Sequence, residues 1–125
     1  MSASAHSRNV LIIDDEEAVR DAVYAALEAV GDFCITQANN GLSGLSLVES
    51  VRPDILMVDL VLPDIDGLQV LKALQGRPGC FRPAHIVLMT AHPDPFPLDR
   101  LRALGADALL EKPFHLHELS RALRG

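Results

Sequence analysis

The chain has 125 residues, 49% of them hydrophobic and 22% charged, so it can bury the core of one ordinary domain and is too short for two. With 11 Lys and Arg against 17 Asp and Glu, its formal net charge is -6. That charge repels phosphate backbones and anionic lipids, which argues against direct binding to nucleic acid or to a membrane surface. Cationic ligands and metal ions suit the chain better.

Cysteine spacing and apolar run lengths indicate where the protein works. Cys34 and Cys80 lie far apart, without the spacing of a zinc site or a disulfide framework, so a reducing cytoplasm is the expected compartment. No apolar run approaches the roughly 18 residues of a membrane span. Residues 1–9 are small and polar and predict a flexible tail, which leaves residues 10–125 as a single domain.

A short apolar run followed by a helical stripe recurs along the chain. Residues 10–13 predict a strand buried on both faces, and apolar residues three and four apart after Glu16 predict a helix that ends at Gly31. Further strands are predicted at 33–37, 54–59, 85–90 and 106–111, and further helices at 42–50, after Gly67, near 98–104 and at about 115–124.

Five such units imply a parallel sheet, because each crossover is right-handed and needs a helix to return. The predicted fold is α/β and doubly wound, with helices on both faces of the sheet. In such sheets ligands bind outside the carboxyl ends of the strands, at the point where the strand order reverses.

Polar side chains stand where the predicted strands end. Asp14 and Asp15 follow the first strand, Asp59 the third, Thr90 the fourth and Lys112 the fifth. Three carboxylates at one edge repel one another unless a hard cation such as Mg²⁺ neutralises them. A cation, an ammonium and a hydroxyl together would compensate three phosphoryl oxygens, which leaves one carboxylate to act as nucleophile.

These residues belong to four motifs that resemble the receiver domain of two-component response regulators. The motifs are DD at 14–15, DLVLPDIDG at 59–67, TA at 90–91 and KPF at 112–114. The resemblance covers residues 10 to about 124. It implies a flavodoxin-like, five-stranded parallel sheet in the order 2-1-3-4-5.

The resemblance also implies a magnesium site at the acidic positions. Asp15 would bind Mg²⁺ directly, and Asp14 would hold it partly through water. Asp59 and the backbone carbonyl of Val61 would complete the protein's ligand set.

The phosphoryl chemistry implied by the resemblance centres on Asp59. This residue would accept a phosphoryl group from a histidine kinase or a phosphotransfer protein, while Thr90 would hydrogen-bond the group and Lys112 would pair with it. The domain would catalyse only its own phosphorylation and dephosphorylation. The Lys112–Pro113 peptide is commonly cis in this family.

Simpler interpretations apply to several of these residues. Asp14 and Asp15 could only cap the first helix, although capping does not need two adjacent acids. Asp64 and Asp66 are interpreted as turn residues and not as ligands.

The five histidines show no metal-binding spacing. His6, His85, His115 and His117 are expected at surface or solvated positions, and His92 near the strand ends, where it would tune the chemistry.

One position departs from the family pattern. Leu109 stands three residues before the lysine, where relatives usually carry an aromatic ring that signals phosphorylation. We therefore expect either a weak switch at this face or signalling through the proline-rich loop at 92–97.

Three alternatives compete with a phosphorylated receiver. A haloacid-dehalogenase-like phosphatase is suggested by the DIDG run at 64–67, but Leu68 stands where its threonine would be, and the run lies beyond the strand end. A flavodoxin-like flavin binder needs a phosphate loop where this chain has acids. The third is a receiver-like interaction module that is never phosphorylated, which Leu109 keeps open.

The sequence leaves the context of the domain open. The last predicted helix is short, so the chain is either a stand-alone regulator or part of a longer protein. The implied partners are the phosphodonor, a downstream effector or fused output domain, and a second copy in a possible homodimer.

Overall fold

The structure, a computed structural model, describes residues 8–78, 82–91 and 98–124. Strands and helices alternate through these residues, as the sequence pattern predicts. The strands are Arg8–Ile13 (β1), Phe33–Ala38 (β2), Ile55–Asp59 (β3), His85–Thr90 (β4) and Ala108–Glu111 (β5). The helices are Glu17–Val30 (α1), Gly41–Val51 (α2), Gly67–Gln75 (α3), Leu98–Ala103 (α4) and Leu116–Arg124 (α5).

The five strands form one parallel sheet in the order β2-β1-β3-β4-β5. The chain winds from β1 to β2 on one side and then returns to add β3, β4 and β5 on the other. The strand order therefore reverses at β1, and the ends of β1 and β3 border the switch point. The predicted doubly wound, flavodoxin-like fold with strand order 2-1-3-4-5 is confirmed.

Two apolar layers cover the two faces of the sheet. Leu11 and Ile13 of β1 pack with α2, α3 and α4, and the alternate residues Val10 and Ile12 pack with α1 and α5. Every residue of β3 is buried, which explains its unbroken apolar sequence. The helices pack against both faces of the sheet through these layers, so the strand ends are fixed relative to one another.

Four strand boundaries differ from the predicted ones: β2 ends one residue later, at Ala38, β3 begins one residue later, at Ile55, and β1 and β5 differ at their starts. β1 begins at Arg8, because the Asn9 backbone N–H donates to Asp54 Oδ2 at 2.8 Å and its side chain donates to the Val51 carbonyl. β5 begins at Ala108 and not at residue 106. β1 is longer than predicted because Arg8 and Asn9 pair with Phe33 and Cys34 of β2, and local apolar pattern does not report such contacts.

His85 was expected at a solvated position, and this expectation is wrong. Its side chain is 15% exposed, and its Nε2 lies 2.5 Å from the carbonyl oxygen of Ala122 in α5. Asp107 Oδ2 lies 3.7 Å from the other ring nitrogen. The Ala122 carbonyl belongs to the last turn of α5, where carbonyls lack intrahelical partners. His85 therefore ties the end of α5 to β4.

The other histidines divide into two groups. His115 and His117 are exposed and stack on each other, in agreement with the prediction. His6, His92 and the proline-rich loop lie outside the described residues.

The close approach of α3 to the end of β3 requires glycine at position 67. A Cβ at Gly67 would lie 2.7 Å from the Asp59 carbonyl oxygen and 2.8 Å from the Leu60 Cα. Both atoms belong to the backbone and cannot move aside alone. Gly67 thus allows α3 to begin directly against the loop that follows Asp59.

We expect Gly67→Ala to lower the free energy of unfolding by about 1–3 kcal/mol, the usual cost of forcing extra atoms into a packed site. Urea denaturation would measure it. The matched control is Gly76→Ala, whose new Cβ would meet only the Ala73 carbonyl oxygen at 3.6 Å. Equal losses in the two variants would contradict the packing argument.

Candidate functional site

Four of the predicted side chains lie at neighbouring strand ends. Asp59 and Thr90 are the last residues of β3 and β4, Asp14 directly follows β1, and Lys112 directly follows β5. Asp14 is fully buried, and Asp59 and Thr90 are 5% and 1% exposed. Parallel pairing brings these ends to one edge of the sheet, so polar groups far apart in sequence face one small volume.

Lys112 is the centre of this group. Its Nζ donates to Asp14 Oδ2 at 2.6 Å and to Asp59 Oδ2 at 2.9 Å. The Glu16 Oε1 lies further away, at 3.8 Å. One ammonium therefore bridges two buried carboxylates that come from different strands.

Backbone groups fix the second oxygen of each buried carboxylate. Asp14 Oδ1 accepts the Glu16 N–H at 2.9 Å, and Asp59 Oδ1 accepts the Val61 N–H at 3.0 Å. In each carboxylate, one oxygen therefore accepts a backbone N–H from the loop that follows, and the other oxygen accepts the Lys112 ammonium.

The protonation equilibria of Asp59 and Lys112 reflect burial and pairing. Burial, helped by the nearby charge of Asp14, raises the pKa of Asp59, and the opposing contacts with Lys112 and Val61 do not cancel this effect. Burial alone would lower the pKa of Lys112, but the hydrogen bonds and charges of Asp14 and Asp59 raise it.

Four acidic side chains converge beside Lys112. Asp14, Asp15, Glu16 and Asp59 each place a carboxylate oxygen so that all four oxygens lie within 4.8 Å of one another. Asp15 and Glu16 are exposed, so the cluster opens to solvent. Like charges at this spacing repel, and carboxylate oxygens are the ligands that Mg²⁺ prefers. The donor set therefore fits a hard divalent cation.

Glu16 was not among the predicted site residues. Its signal in the sequence was its position as the third consecutive acid after β1. The helical pattern begins at the same residue, which favoured an interpretation as the start of α1. In the structure Glu16 is the N-cap residue of α1, and its side chain makes no capping hydrogen bond there.

Thr90 and Val61 both contact the site residues through backbone groups. The Thr90 carbonyl accepts the Lys112 N–H at 2.7 Å, which joins the ends of β4 and β5. Val61 is 64% exposed and contacts the site through its N–H. The metal-binding role of its carbonyl stays a prediction. The Lys112–Pro113 peptide is cis, as the resemblance implies.

Asp64 and Asp66 serve the loop and not the acidic cluster. Asp64 accepts the N–H groups of Gly41 and Leu42, both at 2.8 Å, at the start of α2. Although desolvation opposes it, these backbone hydrogen bonds lower the pKa of Asp64. Asp66 caps α3 in a reciprocal pair with Gln69. Both residues hold the loop that follows Asp59, in agreement with their predicted turn role.

A hollow of about 480 Å³ opens beside Lys112 on the α1 side of the site. Its walls are largely apolar. They include Val19, Ala22 and Ala26 from α1, and Pro113 and Phe114 from the loop that follows β5. An exposed apolar surface therefore lies directly beside the ammonium of Lys112.

The fold and these side chains define a class of protein, the α/β signalling domain with an acidic cluster at the carboxyl ends of its strands. The family model of the response regulator receiver domain matches residues 10–124. The chain therefore belongs to the receiver domains of two-component response regulators.

Curated relatives and solved structures agree with this assignment. The chain is 36% identical to the transcriptional regulatory protein TrcR of Mycobacterium tuberculosis over 93% of this chain and 44% of that protein. It is 34% identical to the positive alginate biosynthesis regulatory protein of Pseudomonas aeruginosa over 93% of this chain and 46% of that protein. The chain spans about half the length of these relatives.

Among solved structures, the chemotaxis protein CheY4 of Vibrio cholerae superposes with a TM-score of 0.82 at 26% identity, covering 94% of this chain and 97% of that one. Membership of the receiver family sets aside the phosphatase and flavin-binding alternatives. No helix in the described parts of the chain has the length and apolar character needed to cross a membrane.

The raised pKa of Asp59 predicts how stability depends on pH without a metal. A raised pKa in the folded state means that ionised Asp59 disfavours folding, so stability is lost as pH rises from the ordinary pKa of 3.8 to the raised one and does not fall further above it. In EDTA at pH 7, Asp59→Asn should therefore increase the free energy of unfolding. The gain should shrink as pH falls through the raised pKa.

Urea denaturation between pH 4 and 8 would measure this effect, with Asp21→Asn on the exposed surface of α1 as a control that should show little change. A less stable Asn variant at pH 7 would mean that the ion pair with Lys112 outweighs the burial of Asp59.

Proposed function

We propose that this domain is a phosphorylation-dependent switch in which Asp59 accepts a phosphoryl group from a histidine kinase or a phosphotransfer protein. The observation that carries the proposal is the Lys112 ammonium, 2.9 Å from Asp59 Oδ2 and beside a cluster of four acids. Membership of the receiver family supports it. The activity is a single transfer to the domain itself and not turnover of outside substrates.

The transfer makes one bond and breaks one. A carboxylate oxygen of Asp59 attacks the phosphorus, and the bond from phosphorus to the donor's imidazole nitrogen breaks, with its electron pair leaving on the imidazole. Asp14, Asp15, Asp59 and the Val61 carbonyl would hold Mg²⁺. The bound cation would supply positive charge to balance the acids and a phosphoryl oxygen.

The chain's own groups complete the compensation of charge. Lys112 already lies against Asp59, so its ammonium can remain paired with an oxygen of the transferred group. The Thr90 hydroxyl, at the end of the adjacent strand β4, is the proposed hydrogen-bond donor to a second oxygen of the phosphoryl group. Cation, ammonium and hydroxyl would then compensate one phosphoryl oxygen each.

The apolar hollow beside Lys112 is the proposed docking place for the phosphodonor. A helix of the donor that packs against Val19, Ala22 and Phe114 would bring its phosphohistidine to the opening of the acidic cluster. Its apolar walls favour burial of a complementary helix face.

The output partner is proposed to be an effector, either fused beyond this domain or separate, with a homodimer as a further possible assembly. The chain covers only about half the length of the curated relatives, so a longer protein would supply such a region. The described helices and the negative charge fit a domain at work in the cytoplasm that does not itself bind nucleic acid.

One alternative of another class remains, a receiver-like module that is never phosphorylated. Leu109 favours it, because the usual aromatic residue is missing. The complete acidic, threonine and lysine set favours a phosphoacceptor, since an interaction module has no need for it.

Phosphorylation gives a direct prediction. Incubation with acetyl phosphate or phosphoramidate and Mg²⁺ should add one phosphoryl group, detected by intact mass. Asp59→Asn and EDTA should each abolish the adduct. Asp66→Asn is the matched control, since asparagine also caps helices, and should keep it. Absence of an adduct on the unaltered chain with either donor would reject the phosphoacceptor and leave the interaction module.

Leu109 gives a second prediction, about the output. Its side chain is partly buried against the apolar layer that α2, α3 and α4 form on one face of the sheet. A leucine that changes burial contributes only about 1 kcal/mol, which shifts a two-state equilibrium about fivefold. Amide chemical shifts with beryllofluoride and Mg²⁺ should therefore change most after Thr90, at His92, Asp94 and Phe96, since the prolines between them have no N–H. Large changes centred on Leu109 and α5 would mean that the aromatic residue is not needed.

A further inference from the structure

Arg20, at the end of the first turn of α1, reaches back to the strand ends. Its Nη1 donates to the backbone carbonyl of Asp14 at 2.7 Å, and its Nε donates to Gln37 Oε1 at 3.1 Å. The side chain is half-buried. One guanidinium therefore joins three elements: α1, the residue after β1 and the end of β2.

The carbonyl that Arg20 contacts lies just beyond the last sheet pairing of β1. Ile13 is the last paired residue, opposite Ala38, and the Asp14 N–H still donates to the Ala38 carbonyl at 3.1 Å. The Asp14 carbonyl lies beyond the last residue pair of the sheet between β1 and β2. The charged donor of Arg20 fixes it, and a charge-assisted hydrogen bond is stronger than a neutral one.

Fixing this carbonyl also fixes the peptide plane between Asp14 and Asp15. The Asp14 carboxylate is already held by the Glu16 N–H and by Lys112. Asp15 is exposed, and the direction of its side chain depends on the backbone from which it starts. The hydrogen bond from Arg20 to the Asp14 carbonyl sets the orientation of the backbone that leads into Asp15.

We propose that Arg20 is a positioning residue of the magnesium site, which acts through the Asp14–Asp15 peptide to keep the Asp15 carboxylate within the acidic cluster. The inference rests on the proposed function, because the cation is the one proposed there. Arg20 touches neither the acids' carboxylates nor the reacting atoms in this role.

The chemistry of arginine suits the role. Its planar guanidinium offers N–H groups in fixed directions, so it can serve the Asp14 carbonyl and Gln37 at the same time. A lysine carries the same charge as a single flexible point and cannot reproduce both contacts in that plane.

A merely structural role for Arg20 would be to tie α1 to β2 through Gln37. Gln37→Leu separates the two roles, because it removes that tie and leaves the bond to Asp14 in place. Gln37 is exposed, so the substitution leaves the core intact.

The test measures Mg²⁺ affinity of the full chain by isothermal titration calorimetry. We expect Arg20→Met to weaken binding about tenfold, the lower end of the effect of residues that orient metal ligands. Arg20→Lys should show most of the loss of Mg²⁺ affinity that is expected for Arg20→Met. Gln37→Leu and Arg121→Gln, which removes one charge from the exposed face of α5, should bind like the unaltered chain.

Amide hydrogen exchange in EDTA gives a readout without metal. Residues 14–16 should exchange faster in Arg20→Met than in Gln37→Leu. Urea denaturation in EDTA verifies that each variant folds. If Arg20→Met does not fold, Arg20→Lys replaces it as the test variant.

The outcomes separate the inference from the proposed function. If the unaltered chain binds no Mg²⁺ and takes no phosphoryl group, both are overturned. If it does both and the Arg20 variants bind Mg²⁺ equally well, only the positioning role is overturned. Equal losses in Gln37→Leu and Arg20→Met would also overturn it, since the tie between α1 and β2 would then be the cause.

Discussion

The ammonium of Lys112, held between the carboxylates of Asp14 and Asp59, is the interaction on which the site depends. Both carboxylates are buried, and a buried charge is tolerated only when it is paired and hydrogen-bonded. The pairing partners lie 98 and 53 residues away from Lys112 in the sequence. Only the doubly wound order of the sheet, with β1 and β3 at its centre and β5 at its edge, brings them together. The fold and the site are therefore parts of one arrangement.

The same interaction explains why this site should respond to a change of charge. Four carboxylates face one ammonium, so the cluster holds excess negative charge before any ligand arrives. A divalent cation would reduce that excess, and a phosphoryl group on Asp59 would increase it. Either change would alter the charge that faces the hydrogen bonds of Lys112 to Asp14 and Asp59. Lys112 directly follows β5, and its backbone N–H donates to the Thr90 carbonyl at the end of β4, so the ammonium is tied to both strands at this edge of the sheet.

The loops around the acids are held by contacts that have no part in the chemistry itself. Asp64 binds the start of α2, Gly67 lets α3 begin against the end of β3, and Arg20 holds the carbonyl of Asp14. Each contact crosses between elements, so the acidic side chains start from backbone that is fixed on several sides. Such preorganisation matters because carboxylates left free would move apart under their own repulsion.

Periodicity and the residues at each strand end by themselves determined the five strand-helix units, the parallel sheet and the edge at which Asp14, Asp59, Thr90 and Lys112 meet. A buried strand reads as an apolar run, and its first polar residue marks its end, so these conclusions need only local pattern. Tertiary structure alone decided that Glu16 joins the acids, that Arg20 binds the Asp14 carbonyl and that His85 is covered by α5. These contacts depend on the distance between side chains on different elements. Hydrophobic spacing reports which face of an element is buried, but it does not report which polar group another element brings to that face.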